Sequence, residues 1–135
     1  DVSNIIGNQS VVVSIEAKKI KNNLWEAYYD NGRERSYKDV IKWAQEAEEK
    51  GAGEILITSV DSEGLKNGLE IDLLKILNNI ITIPIIISGG IGNIKHIKDA
   101  IPLAEGVAIA SMLHYNLDDI KNIKATLKKD GMNVR

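Results

Sequence analysis

The sequence predicts an α/β fold in which about four buried strands alternate with amphipathic helices, and three observations carry that prediction. The runs SVVVSI (residues 10–15), EILITSV (54–60), PIIIS (84–88) and GVAIAS (106–111) are apolar and largely β-branched, without the polar alternation of a strand that has one wet face. Parallel strands covered on both faces read this way. Between them lie segments with apolar residues at helical spacing, and every strand run meets polar or small residues at its C-terminal end. Such alternation implies parallel strands joined by right-handed crossovers.

The elements follow in order. The chain opens DVSNIIGNQS, where Asn4, Ile5 and Ile6 before Gly7 read as the inside or the end of a helix. The first strand, 10–15, stops at Glu16. The stretch KKIKNNLWEAYYDNGRER then interrupts the pattern: WEAYY is strand-like, and Asn22-Asn23 and Asn31-Gly32 are turn signals, so a β-hairpin decorates the first loop. YKDVIKWAQEAEEK (37–50) places Val40, Ile41, Ala44 and Ala47 on one helix face, with Ser36 as N-cap and Gly51 as stop. After the strand at 54–60, EIDLLKILNNI (70–80) is a second helix, closed off by Pro84 beyond ITI. A third helix runs from about Asn93 to Ala104. LDDIKNIKATLKKDG (117–131) is a fourth, with acids first, lysines last and a terminal glycine, as the helix dipole favours.

Strands that are apolar on both faces need cover on both, yet an open sheet of four leaves two unpaired edges. A closed barrel of eight βα units removes the edges and takes about 250 residues. The 135-residue chain is therefore expected to be one domain, residues 1–135, forming half of a TIM (βα)8 barrel with a hairpin insertion after its first strand. On this reading the first four units of the barrel are absent and Asp1 is not the natural start.

Composition narrows the functional classes. At 44% hydrophobic and 27% charged the chain has the make-up of a soluble globular domain, and no stretch approaches the roughly 18 uncharged apolar residues of a membrane span. The absence of cysteine removes disulfides and thiolate metal sites and fits a reducing, cytoplasmic setting. A net charge of −2 with mixed signs offers no general attraction to nucleic acid, so an anionic ligand must be held by local donors.

Those donors gather at the strand C-termini, which converge in a parallel βα fold whatever their separation along the chain. One mouth is expected to collect Glu16, Asp61 and Glu63, Ser88, Gly89 and Gly90, and Ala110 and Ser111. PIIISGGIG (84–92) strips the side chains from the backbone after an isoleucine strand, so the amides of Gly89, Gly90 and Gly92 can close on an anion, most naturally a phosphate. A tight strand-to-helix turn without a ligand is the alternative. IASM, from the neighbouring strand, could add amides to the same phosphate, with the Ser88 and Ser111 hydroxyls assisting. Glu16 stands at the rim above an apolar floor, a setting suited to proton transfer, or else pairs with Lys18 or Lys19. His96 is expected on the surface, and His114 nearer the mouth as a structural hydrogen bonder. Trp25, Tyr28 and Tyr29 either cover a substrate or pack on the rim. Two histidines without ligand spacing do not argue for a metal, and no cofactor is implied.

Taken together, VVVSIEAKK, GAGEILITSVDSEG, IPIIISGGIG, VAIAS and the ending LKKDGMNVR resemble the cyclase subunit of imidazole glycerol phosphate synthase, the HisF family of histidine biosynthesis. The resemblance covers essentially the whole chain and corresponds to the C-terminal half of that barrel. It implies a lyase that takes ammonia from a partner glutaminase, a HisH-like subunit, through the barrel to a bisphosphorylated ribonucleotide, giving imidazole glycerol phosphate and an aminoimidazole carboxamide ribotide. Carried over, Gly89, Gly90, Ala110 and Ser111 hold one phosphate, Thr58 and Ser88 line the pocket beside Glu63 and Gly64, Glu16 is catalytic, and Glu54 matches the gate where ammonia enters.

Two departures fall at the site. The family's catalytic aspartate in VAIDAKR is here Glu16, and the usual DRDGT is DSEGL, with Glu63 for aspartate and Leu65 for a hydroxyl. They favour a HisF-like paralogue that helps a glutaminase form acetamidino sugars for surface polysaccharide. A half-barrel that binds phosphate without catalysis and self-associates through its open edges is a further reading. The other catalytic aspartate and the second phosphate site of the family belong to the N-terminal half, so the chain alone is expected to be inactive.

Overall fold

A computed structural model describes residues 2–62 and 64–135. The order is helix α1 (Val2–Ile6), a 3-10 turn (Asn8–Ser10), strands β1 (Val12–Lys21), β2 (Leu24–Tyr29) and β3 (Glu34–Asp39), helix α2 (Val40–Glu49), β4 (Glu54–Ser59), α3 (Ile71–Ile80), β5 (Ile85–Ser88), α4 (Ile94–Ala100), β6 (Gly106–Ala108), α5 (Ser111–His114) and α6 (Ile120–Lys129). All six strands form one sheet in the order β3-β2-β1-β4-β5-β6. The four apolar strands, β1, β4, β5 and β6, are parallel neighbours in sequence order. This is the α/β arrangement expected of a half-barrel, and the hairpin sits after the first strand.

Alternation along the strands sorts the two faces. Ile15, Ile55, Ile57, Ile85 and Ile87 are buried in one core with Val40 and Ala44 of α2, Leu73, Leu74 and Leu77 of α3, Ile97 of α4, and Ile123 and Leu127 of α6. The intervening residues, among them Ser14, Glu16, Leu56, Thr58, Ile86 and Ser88, are exposed or half-buried and share the opposite, open face. Parallel strands read as continuous apolar runs because both faces are meant to be covered; here the helices cover one.

Several boundaries differ from the expectation. β1 runs on to Lys21, because its second half pairs antiparallel with β2, Glu16 opposite Tyr28 and Lys21 opposite Leu24. The insertion gains a third strand, β3, so α2 begins at Val40, and Asp39 rather than Ser36 caps it, accepting from the Lys42 amide at 3.0 Å. Ser36 instead donates its hydroxyl to the Ala27 carbonyl across the hairpin. α4 ends at Ala100, with residues 101–103 in turns, and α6 spans Ile120–Lys129, capped by Asp119 through the Asn122 amide at 2.8 Å. Only residues 106–108 of the fourth apolar run are strand, since Ser111 already opens α5. Of the two open edges expected, the hairpin covers the C-terminal part of β1, whereas β6 has β5 as its sole strand neighbour among the described residues.

Candidate functional site

Register builds the site. Glu16 of β1 pairs with Thr58 of β4, Thr58 with Ser88 of β5, and Ser88 with Ala108 of β6. Strands lie about 4.8 Å apart, so these four residues form a row about 14 Å long across the open face at the C-terminal ends. Beneath it runs a second row, Ser14, Leu56, Ile86 and Gly106. Glu54 lies on the same face as Thr58, at the opposite end of β4 and beside Val12. The expectation that Glu16 and the glycine turn share one end of parallel strands is met.

Glu16 is half-buried, and its carboxylate is not paired with Lys18 or Lys19. Its Oε2 accepts the Gly32 amide at 2.6 Å, a contact supplied by the far turn of the hairpin. The lysines are engaged elsewhere: Lys19 Nζ bonds Glu70 at 3.0 Å and lies 3.8 Å from Asp72, while Lys18 Nζ is 4.0 Å from Asp61. Asp61 also accepts the Lys19 amide at 2.8 Å, so it ties the extended end of β1 to the loop after β4. The sequence held the signal for Gly32. With Glu16 opposite Tyr28 in an antiparallel pair, the Asn31-Gly32 turn must return to the level of Glu16.

At the other end of the row, Ser88, Gly89, Gly90, Ile91, Ala108, Ala110 and Ser111 line a small concavity. The two loops expected to share a phosphate therefore do meet. Gly89 and Gly90 are buried with φ of +93° and +91°, a region that side chains rarely adopt. A Cβ on Gly89 would lie 2.5 Å from the Ser59 carbonyl oxygen, and one on Gly90 would overlap the Gly68 carbonyl. The Gly68 amide donates back to the Gly90 carbonyl at 2.8 Å. The bare backbone thus admits the end of β4 at Gly89 and the loop that follows it at Gly90, a structural demand independent of any ligand.

Thr58 is half-buried on the open face, Gly64 is exposed with φ +74°, Ala110 is exposed, and Ser111 is half-buried as the first residue of α5. Glu63 lies outside the described residues. His96 is not a free surface group: it is half-buried, its Nδ1 accepts the Gly92 amide at 3.2 Å, and it closes the glycine turn onto α4. His114 is exposed, edge-on to Tyr115 with ring centroids 5.1 Å apart. Trp25 is 1% exposed and belongs to the core, which settles it as packing; Tyr28 is half-buried and Tyr29 exposed. Among the described residues no group of three His, Cys, Asp or Glu side chains could hold a metal ion, and no helix is long and apolar enough to cross a membrane.

Comparison with known proteins adds to this geometry. Residues 1–119 match the family model described as "Histidine biosynthesis protein". The chain is similar to the imidazole glycerol phosphate synthase subunit HisF of Prochlorococcus marinus (strain NATL1A), 42% identical over 137 residues that cover 98% of this chain and 54% of the relative. The same subunit from Campylobacter concisus (strain 13826) is 44% identical over 130 residues, covering 96% and 51%. That from Hydrogenobaculum sp. (strain Y04AAS1) is 39% identical over 131 residues, covering 96% and 52%. The chain spans about half the length of these curated relatives. A parallel sheet with one open face, polar groups in register at its C-terminal ends, and this similarity along nearly its whole length place the chain in the histidine biosynthesis protein family, among the HisF-like (βα)8-barrel proteins.

Proposed function

We propose that this chain supplies the phosphate-holding and proton-transferring part of an imidazole glycerol phosphate synthase cyclase. The observation that carries the reading is the register row, Glu16–Thr58–Ser88–Ala108, ending at the Gly89-Gly90 and Ala110-Ser111 loops. One phosphate of the ribonucleotide sits against the amides of Gly89, Gly90 and Ser111, with the Ser88 and Ser111 hydroxyls as further donors and Gly64 on the adjoining loop. Thr58 lines the pocket between phosphate and carboxylate. The Gly32 amide occupies Oε2 of Glu16, which leaves Oε1 to take and return a proton during ring closure.

Ammonia from a glutaminase subunit would enter at the Glu54 end and pass Leu56 and Ile86 on the open face, whose apolar side chains supply no proton to turn it into unreactive ammonium. The products are imidazole glycerol phosphate and the aminoimidazole carboxamide ribotide. The intact protein, given the ribonucleotide and an ammonium salt in place of a glutaminase, is expected to release both, detected by mass spectrometry. No turnover at saturating ammonium would reject the cyclase reading.

Glutamate for aspartate at position 16, and the 66% exposed Leu65 where the family pattern has a hydroxyl, favour a second substrate: a sugar amidated with the same ammonia. One extra methylene displaces a carboxylate by about 1 Å, enough to cost on the order of a hundredfold in rate. A large gain of cyclase turnover in Glu16→Asp would support that second reading. The edge of β6, which has no second strand neighbour among the described residues, favours association of the chain with a further barrel half, and light scattering that finds a stable monomer would count against it.

A further inference from the structure

A phosphate monoester carries about −1.5 to −2 charges at neutral pH. Yet none of the residues around the proposed phosphate position, Ser88, Gly89, Gly90, Ile91, Ala108, Ala110 and Ser111, is cationic. The rim lysines on β1 are spoken for, Lys18 by Asp61 and the Tyr28 ring, Lys19 by Glu70 and Asp72. A third lysine, Lys66, packs against the glycine turn. The Lys66 backbone packs on Gly92, its carbonyl oxygen 2.6 Å from where a Gly92 Cβ would be, and its φ is +59°, an unusual conformation for a lysine. Its Nζ lies 4.1 Å from the ring centroid of Tyr115, and Tyr115 is one helical turn beyond Ser111, donating its amide to the Ser111 carbonyl at 3.0 Å. Among the described residues no carboxylate lies within ion-pair distance of Lys66.

We propose that Lys66 is the cation that answers the bound phosphate, and that the Tyr115 ring holds its ammonium in reserve between the two loops until phosphate arrives. This assignment rests on phosphate binding at those loops. A partly exposed cation–π contact is weaker than a charge-assisted hydrogen bond to phosphate, so the ammonium exchanges one partner for the other. The contact also straps the loop after β4 to the segment after β6 across the glycine turn, so its exchange couples phosphate binding to the position of both.

The exchange makes opposite predictions for its two members. Titrated with inorganic phosphate by calorimetry, Lys66→Gln is expected to bind about tenfold more weakly than the parent protein and with a shallower salt dependence. Tyr115→Leu, which releases the ammonium from its competing partner, is expected to bind about twofold to fivefold more tightly. Tyr115 is 58% exposed, so this variant keeps its packing and decides the matter alone should Lys66→Gln fail to fold. If Lys66→Gln binds as the parent does, the role of Lys66 is overturned, and if Tyr115→Leu binds no more tightly than the parent, the exchange with the Tyr115 ring is overturned; in either case the phosphate site stands. If the parent protein itself takes up no phosphate, the site falls, and the Lys66 assignment with it.

Discussion

The backbone amide of Gly32 donates to the Glu16 carboxylate at 2.6 Å, joining the far turn of the hairpin to the residue that heads the polar row of the sheet. Gly32 has φ +76°, and a Cβ there would stand 2.8 Å from Val60 Cγ1, so the turn is wedged between the carboxylate and the end of β4. An insertion outside the parallel strands thus fixes the position of the candidate proton-transfer group.

Glu16→Gln keeps an oxygen acceptor for Gly32 and removes the capacity to carry a proton. Turnover of the intact protein is expected to fall by about 10² to 10⁴, the usual contribution of a positioned acid–base group, with phosphate affinity unchanged within about twofold. A loss of less than tenfold in steady-state kinetics would remove Glu16 from the chemistry.

Gly90→Ala meets the Gly68 carbonyl and a φ of +91° whether or not a ligand is present. The two effects together are expected to cost about 2–4 kcal/mol of unfolding free energy. Urea denaturation without phosphate measures it. A midpoint equal to the parent's would mean that the glycine serves only a ligand.

Neighbouring isoleucines test the assignment of faces. Ile87 is fully buried under the helices, while Ile86 is half-buried on the open face. Ile87→Ala is expected to cost about 2–5 kcal/mol and Ile86→Ala less than about 1.5 kcal/mol, read from chemical denaturation. Equal costs would show that the second face is covered as well.

Glu26 and Arg35 clamp β2 to β3 through two hydrogen bonds of 2.7 and 3.0 Å. Those bonds hold the Glu26 carboxyl below its ordinary value of 4.5; burial opposes them, and the Tyr37 amide helps. Because the folded-state value is depressed, the clamp's stabilisation is present above pH 4.5 and is lost as pH falls through the lower, folded value. Melting temperatures measured downward from pH 6 should therefore fall more steeply in the parent than in Glu26→Gln. Parallel curves would show that the pair contributes nothing.

Local sequence carried much of the architecture. Runs such as Ile85-Ile86-Ile87, helix faces such as Val40-Ala44-Ala47 and turn pairs such as Asn31-Gly32 state strand, helix and hairpin on their own, because side-chain shape and backbone freedom act within a few residues. Parallel alternation then brings Glu16, Thr58 and Ser88 to one end without further information. Helix starts were less legible. Ser36 and Asp39 are both capping residues, and the choice between them depends on β3 pairing with β2 as far as Asp39.

What the chain alone determined, then, is the order of strands and helices and the end at which polar groups collect. Tertiary structure decided what those groups do. A glycine reports only that a side chain is missing, and whether the space admits a ligand or another segment depends on atoms distant in sequence: Gly68 for Gly90, and Ser59 for Gly89. A glutamate likewise has several partners within reach, and the hairpin's fold, bringing Gly32 back to Glu16, chose among them.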